Sequence, residues 1–451
     1  MEIPGLPPQL LPLLRRAAGP HRLALVGGAV RDLLLHRVHQ DPWRDLPDLD
    51  LAVEEACLDA ADPPVAHRLA RRLREQLGPR VVPYLQEHGA YGTVELELDP
   101  VALQALHPAE APAEAALVEQ LGVGPLLLDL ASARRESYPV AGENPLVRRG
   151  SLDDDLARRD FTINAMALLL VPFPGDPAQP PDASALLDPH GGQADLARRQ
   201  LRFLHAASVR DDPTRVFRGA RYVARLGFSL APEALAQLEG TLAAWPWPWR
   251  PGDPPGQAPA ALGTRLRMEL ELLLQRPCWP EALAALQQWG ALRLLDGRLQ
   301  QDSRWRLRLV RAQRAGLPLL VALVAGAAEP LALAERLQLP HRQHRLLAQW
   351  QLLQERILAA TSRGTQLRPS AWTELLEGPG LSVDAVALAL ACGSGPRRPL
   401  LRWWLRWRHQ RGPLTAPELL ARGVPPGPAL GARLRRDRLA AIDQAEAAPR
   451  R

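Results

Sequence analysis

Asp48 and Asp50, two residues apart, and the pair Gly27-Gly28 followed by Arg31 are the groups in this chain whose types and spacing can do chemistry. In an extended strand alternate residues share a face, so Asp48 and Asp50 present two carboxylates together while Leu49 and Leu51 pack behind them. Such a pair suits Mg²⁺, which prefers hard oxygen ligands and keeps substrate phosphate oxygens in its shell. A glycine pair after the apolar run Leu23-Ala24-Leu25-Val26 lets backbone amides approach an anion closely, and Arg31 adds fixed positive charge beside it. Together they point to metal-assisted phosphoryl or nucleotidyl transfer. Singly each has a plainer reading: an ordinary tight turn for Gly-Gly, turn chemistry for Asp-x-Asp beside prolines.

Two further strings bear on the same chemistry. One is Arg158-Arg159-Asp160-Phe161-Thr162-Ile163-Asn164-Ala165-Met166-Ala167. The other, Asp211-Asp212-Pro213-Thr214-Arg215-Val216-Phe217-Arg218-Gly219-Ala220-Arg221-Tyr222, has a proline suited to a first helical turn. Its three-residue steps from Asp212 through Arg215 and Arg218 to Arg221 place these side chains on one broad face. Cytosine and adenine each offer an amine beside an acceptor ring nitrogen, and a carboxylate with a guanidinium can read that polarity.

Taken in order, these strings resemble the DNA polymerase β nucleotidyltransferase superfamily, and within it the class II tRNA nucleotidyltransferase (CCA-adding) and bacterial poly(A) polymerase family. The resemblance implies that Asp48 and Asp50 bind two Mg²⁺ ions. It makes Asp129, at the end of the run Leu126-Leu127-Leu128, a third catalytic carboxylate, where a helix cap or turn residue is the other reading. It implies a triphosphate site from Gly27, Gly28, Arg31 and Arg159, a ribose contact from Asp160, and base reading by Asp212 and Arg215. Arg218 and Arg221 then line the phosphate or base pocket. Asp211 stands where the family has glutamate. The string from Gln86 to Leu96 looks like the strand after the metal-binding pair, and His36 reads as a helix-end surface residue.

The fold class implied is α+β, with a catalytic head of mixed β-sheet and helices over 1–175, followed by helical segments. These are a neck over 176–275 holding a hinge and the base-reading helix, a body over 276–390, and a tRNA-binding tail over 391–451. A Pro/Gly/Asp-rich stretch from Pro172 to Pro181 reads as a surface loop. Trp245-Pro246-Trp247-Pro248-Trp249 excludes a helix, and its tryptophans either pack on the neck or stack on RNA bases. The segment Leu401–Arg411, rich in Arg and Trp, poses the same choice between buried tryptophans and RNA contact.

With 451 residues the chain exceeds one compact core, and its net charge is +6 with every basic residue but histidine an arginine. Arginine suits bidentate phosphate contact, although a lysine-free, Ala/Leu/Pro/Arg-rich composition also follows from the base composition of a genome. Cys57, Cys278 and Cys392 lack paired spacing, so neither a disulfide framework nor a zinc site is expected. Apolar runs too short for a bilayer, and no basic leader, lead to an expected cytoplasmic location without membrane contact. The expected reaction is template-independent addition of CCA, or part of it, to the 3′ end of tRNA from CTP and ATP. A CC-adding or A-adding partial enzyme, which implies a complementary partner enzyme in the same cell, is one alternative, and the loop from Glu136 to Leu156 looks closer to A-adding relatives. Poly(A) polymerase and, more remotely, an inactive RNA-binding module are the others.

Overall fold

The computed structural model describes residues 4, 6–7, 10–44, 48–56, 63–89, 91–105, 124–173, 185–362 and 367–447. Cys57 and positions 174–181 of the expected surface loop lie outside the described residues. The described chain forms two compact units, Met1–Trp247 and Pro248–Arg451. The expected neck is thus divided, its base-reading helix belonging with the catalytic head. The division falls inside the Trp-Pro stretch, where no helix runs and Trp245, with φ 45°, ends the preceding helix Pro232–Ala244 in the left-handed conformation.

The first unit is built on a seven-stranded mixed sheet. Its strands are β1 (Arg22–Val26), β2 (Asp48–Glu54), β3 (Tyr84–His88), β4 (Thr93–Leu98), β5 (Leu126–Ser132), β8 (Ala167–Val171) and β9 (Leu186–Leu187), in the order β3-β4-β5-β2-β1-β8-β9. The continuous apolar run makes β1 a central strand, antiparallel to β2 and β8, with Leu23 to Val26 all buried. β2 follows the two-residue period expected: Leu49 and Leu51 are each 1% exposed, and Asp48 and Asp50, which alternate with them, face the other way. β5 lies parallel to β2 in a register that sets Asp129 opposite Asp50. The helix Val65–Leu77 covers the core with Leu69, Leu73 and Leu77 at four-residue steps.

The string from Gln86 to Leu96 is two strands rather than one. β3 and β4 form a hairpin turned around Gly92, whose φ of +61° suits glycine. Residues 134–149 form a second hairpin, β6 (Arg134–Ser137) with β7 (Leu146–Arg149), in place of a plain loop. The region after 175 also carries short strands, including β9 and the parallel pair Gln200–Leu201 with Ser229–Leu230.

In the second unit every regular element among the described residues but one isolated bridge is helical. The long helix His341–Thr361 packs on Val383–Cys392, which also contacts Trp305–Arg314. The last helix, Pro428–Ala447, is tied to the helix Pro369–Leu376 by Ser370 on Asp443, and its Ile442 is fully buried. Trp249, Trp403 and Trp407 are buried, at 5%, 2% and 5% exposure, so packing accounts for these rings. Their indole N–H groups donate to Pro254 O, Glu377 and Glu446. Trp247, in the first unit, is likewise buried and donates to Arg210 O.

Candidate active site

A strand-to-helix turn and two parallel strands bring the first groups together. Gly27 ends β1 and caps the helix Gly28–Arg37 with φ 72° and ψ −136°, a conformation open to glycine. A Cβ there would fall 2.9 Å from both Arg159 Nη1 and Asp50 Oδ2. Gly27, Asp50 and Arg159 therefore converge on one spot.

Asp48, Asp50 and Asp129 each place a carboxylate oxygen within 4.8 Å of the others. Burial and like charge both bear on Asp50 and Asp129. Burial, and after it the charge of Asp48, push the Asp50 carboxyl above its ordinary value against the pull of Arg159. Asp129 is pushed up to about 6 by burial and then by Asp50, Asp48 and Glu95, its antiparallel neighbour on β4. Three oxygens this close on neighbouring strands suit a hard divalent cation, whose charge would offset the penalty on ionising Asp50 and Asp129.

Arg159 is held in place by a residue to which the sequence pattern assigns no role. Asp155, fully buried on the helix Leu152–Ala157, accepts from Arg159 Nη2 at 2.9 Å and from Arg158 Nε and Nη2 at 2.9 and 2.7 Å. Although burial opposes ionisation, Arg159 and Arg158 hold its carboxyl below the usual range. The spacing of three and four residues to the two arginines is the signal that could have found it. Arg158 also donates to Glu136, which accepts from Arg134 and from the Tyr138 hydroxyl.

Asp160 is 8% exposed and accepts from Phe161 N, Asn164 Nδ2 and Arg218 Nε at 2.9, 2.9 and 2.8 Å. Burial would raise its carboxyl, but Arg218, Asn164 and Arg215 hold it below the usual range. Arg31 is 2% exposed and stacks over Tyr222 at 5.1 Å. Its guanidinium is committed to Asp32 through Nε and Nη2 and to Asn164 Oδ1 through Nη1. Asn164 stands inside one of the sequence strings and Asp32 directly follows Arg31, but only their contacts reveal what they do.

The helix Thr214–Leu226 begins just after Pro213, as expected. Asp212 caps it by accepting from Thr214 N at 3.0 Å and Thr214 Oγ1 at 2.6 Å. Arg215, 4% exposed, donates to Arg158 O at 2.9 Å and meets His205 Nε2 at 3.3 Å. The expected row of side chains is thus split: Arg218 turns to Asp160, and Arg221 lies 5.9 Å from the Tyr222 ring. His36 ends its helix, bonded to Asp41 O and edge-on to Trp43.

A profile of the poly A polymerase head domain matches residues 102–202. The CC-adding tRNA nucleotidyltransferase of Deinococcus radiodurans is 34% identical over 428 residues, covering 93% of this chain and 84% of that protein. The A-adding tRNA nucleotidyltransferase of the same organism is 37% identical over 147 residues, covering 32% of this chain and 29% of that protein. Among solved structures, an apo form of a CCA-adding enzyme has a TM-score of 0.66 at 22% identity, covering 97% of this chain and 93% of that one, a likeness of fold. Identity sustained along almost the whole of both chains, together with the shared fold, makes this chain a member of the class II CCA-adding tRNA nucleotidyltransferase family.

Proposed function

We propose that the protein transfers nucleotidyl groups from CTP and ATP to the 3′ end of tRNA without a template, releasing pyrophosphate, and that it does so in the cytoplasm. The observation that carries this reading is the carboxylate triad, with oxygens within 4.8 Å, set against Gly27 and Arg159. Asp48, Asp50 and Asp129 are the seat for two Mg²⁺ ions. When bound, these ions lower the pKa of the RNA 3′ hydroxyl and neutralise the departing pyrophosphate.

The chain's own groups do the rest. The turn at Gly27 and Gly28 and the guanidinium of Arg159 grip the triphosphate, and Asp155 fixes the direction from which Arg159 approaches. Asp160, kept ionised by Arg218, accepts from a ribose hydroxyl. Asp212 accepts from the exocyclic amine of cytosine or adenine while Arg215 donates to the adjacent ring acceptor. Arg31, buried against Asp32 and Asn164, braces the glycine turn from behind, a different task from the phosphate contact its place in the sequence suggests. Arg218 and Arg221 border the nucleotide from the same helix.

One observation favours addition of cytidine in particular. The CC-adding relative aligns over 428 residues and the A-adding protein of the same organism over 147. The test is to supply tRNA transcripts ending at the discriminator base, at C and at CC with CTP, ATP or both, and to resolve products to one nucleotide. Arrest at CC with both nucleotides present identifies a partial enzyme and implies an A-adding partner. Completion to CCA identifies the full activity, long A tails identify a poly(A) polymerase, and no extension of any transcript overturns the proposal.

A further inference from the structure

We infer that His205 is a positioning residue for base selection, accepting a hydrogen bond that aims the Arg215 guanidinium. The inference rests on the reading of Arg215 as the group that meets the base. Arginine has five N–H donors and no acceptor, so the 3.3 Å contact from Arg215 Nη1 requires a lone pair on His205 Nε2 and places the ring proton on Nδ1. A second N–H, on Nη2, goes to Arg158 O at 2.9 Å. Two fixed acceptors on different segments determine the plane of the guanidinium, leaving its remaining donors for a ring nitrogen.

His205 is itself held. Its backbone N–H donates to Ser208 Oγ at 3.1 Å, and its carbonyl accepts from Gln237 Nε2 at 3.0 Å. Ser208 is fully buried, and Gln237 also donates to Ala206 O at 2.9 Å, so this turn is anchored independently of Arg215. The groups whose charge bears on the imidazole are Arg215 and His190, and burial, then these two, bring its pKa down to about 4. The ring is neutral at physiological pH, as an acceptor must be. A protonated ring would turn an N–H toward an N–H.

The test uses three variants of the full chain. His205→Gln keeps an acceptor at about the reach of Nε2, His205→Asn withdraws it, and His205→Met keeps the length with only the weak acceptor of a thioether. Loss of a hydrogen bond to a charged group corresponds to about a tenfold to hundredfold change in an equilibrium. His205→Met and His205→Asn should therefore lose about that factor in discrimination of CTP over UTP, through a raised KM for CTP with kcat less affected, and His205→Gln should retain most of it. If His205→Met does not fold, His205→Asn carries the comparison. Equal discrimination in the wild type and in the variants lacking the acceptor overturns the inference, as does failure of His205→Gln to rescue. Arg215→Ala is the control: if it too leaves discrimination unchanged, the reading of Arg215 has failed, whereas loss in Arg215→Ala alone refutes only the role of His205.

Discussion

Replacing Asp155 by asparagine should cost both stability and nucleotide affinity, and the structure sets the size of each. The fully buried carboxylate receives three N–H donors from Arg158 and Arg159. Arg158 keeps Glu136 in the variant, but among the described residues Arg159 keeps only a long hydrogen bond to Asn164 O at 3.5 Å and the attraction of Asp50, and its Nε has no hydrogen-bond partner. Removing one member of a buried ion pair costs about 3–5 kcal/mol, and asparagine, still able to accept on one oxygen, should fall near the lower end. Near 3 kcal/mol, the loss lowers the melting temperature of a unit this size by about 6–12 °C. The carboxyl is held below its ordinary value, so its contribution is present above about pH 4 and fades as pH falls through its folded-state pKa. The difference between wild type and variant should shrink on acidification in the same way. Urea unfolding at several pH values and steady-state kinetics with CTP are the measurements. A variant within about 0.5 kcal/mol of wild type with an unchanged KM would refute the argument that Asp155 holds Arg159 in place.

Metal-free protein should gain stability as pH falls from above about 6 toward 4, because Asp129 binds its proton more readily folded than unfolded. Adding Mg²⁺ should raise the melting temperature most above that window, and Asp129→Asn should flatten both effects in differential scanning fluorimetry. Gly27→Ala should fold with about 1–3 kcal/mol of strain and lose nucleotidyl transfer, since its Cβ would lie 2.9 Å from Asp50 Oδ2 and Arg159 Nη1. Wild-type turnover in that variant would contradict the convergence at Gly27. Trp403→Ala should destabilise the second unit by about 3–5 kcal/mol, whereas Arg406→Ala, which is exposed, should leave denaturation unchanged and weaken tRNA retention on a filter.

The legible part of the site is the part that local rules determine. Alternation along a strand fixes where Asp48 and Asp50 point, and the dihedral angles open to glycine explain Gly27 without reference to distant residues. Pro213 marks a helix start for the same reason. The bond from Arg31 to Asn164 was not legible, because the two lie 133 residues apart and nothing in the sequence announces the pairing. His205, ten residues before Arg215, is near in sequence but carries no recognisable spacing to it. The plan of head followed by helical segments was legible from the resemblance that the strings carry, whereas the division at Trp247 was not, since it depends on which side of the Trp-Pro stretch each helix packs. The β3–β4 hairpin was hidden because Gly89 and Gly92 interrupt what otherwise reads as one strand.

The polar groups also form a chain whose two ends lie on one helix. Arg225 donates to Asp32, Asp32 accepts from Arg31, Arg31 donates to Asn164, Asn164 donates to Asp160, and Asp160 accepts from Arg218. Arg225 and Arg218 are two turns apart on Thr214–Leu226, so the helix after the glycine turn and the segment after Arg159 are both fastened to the helix that carries Arg215. In the proposed reading, this chain would couple the grip on phosphate to the reading of the base. Asn164→Ala removes the central link, takes the acceptor from Arg31 Nη1 and leaves Asp160 Oδ1 with Phe161 N–H alone, at a cost of about 3–5 kcal/mol if both bonds are lost. Arg225→Ala, at the far end and 40% exposed, should cost much less. If the chain acts as one unit, the double variant departs from additivity by about 0.5 kcal/mol or more, although these two side chains are not bonded to each other. Additivity within about 0.3 kcal/mol would mean that each bond stands alone and that the two halves of the site are free to move separately.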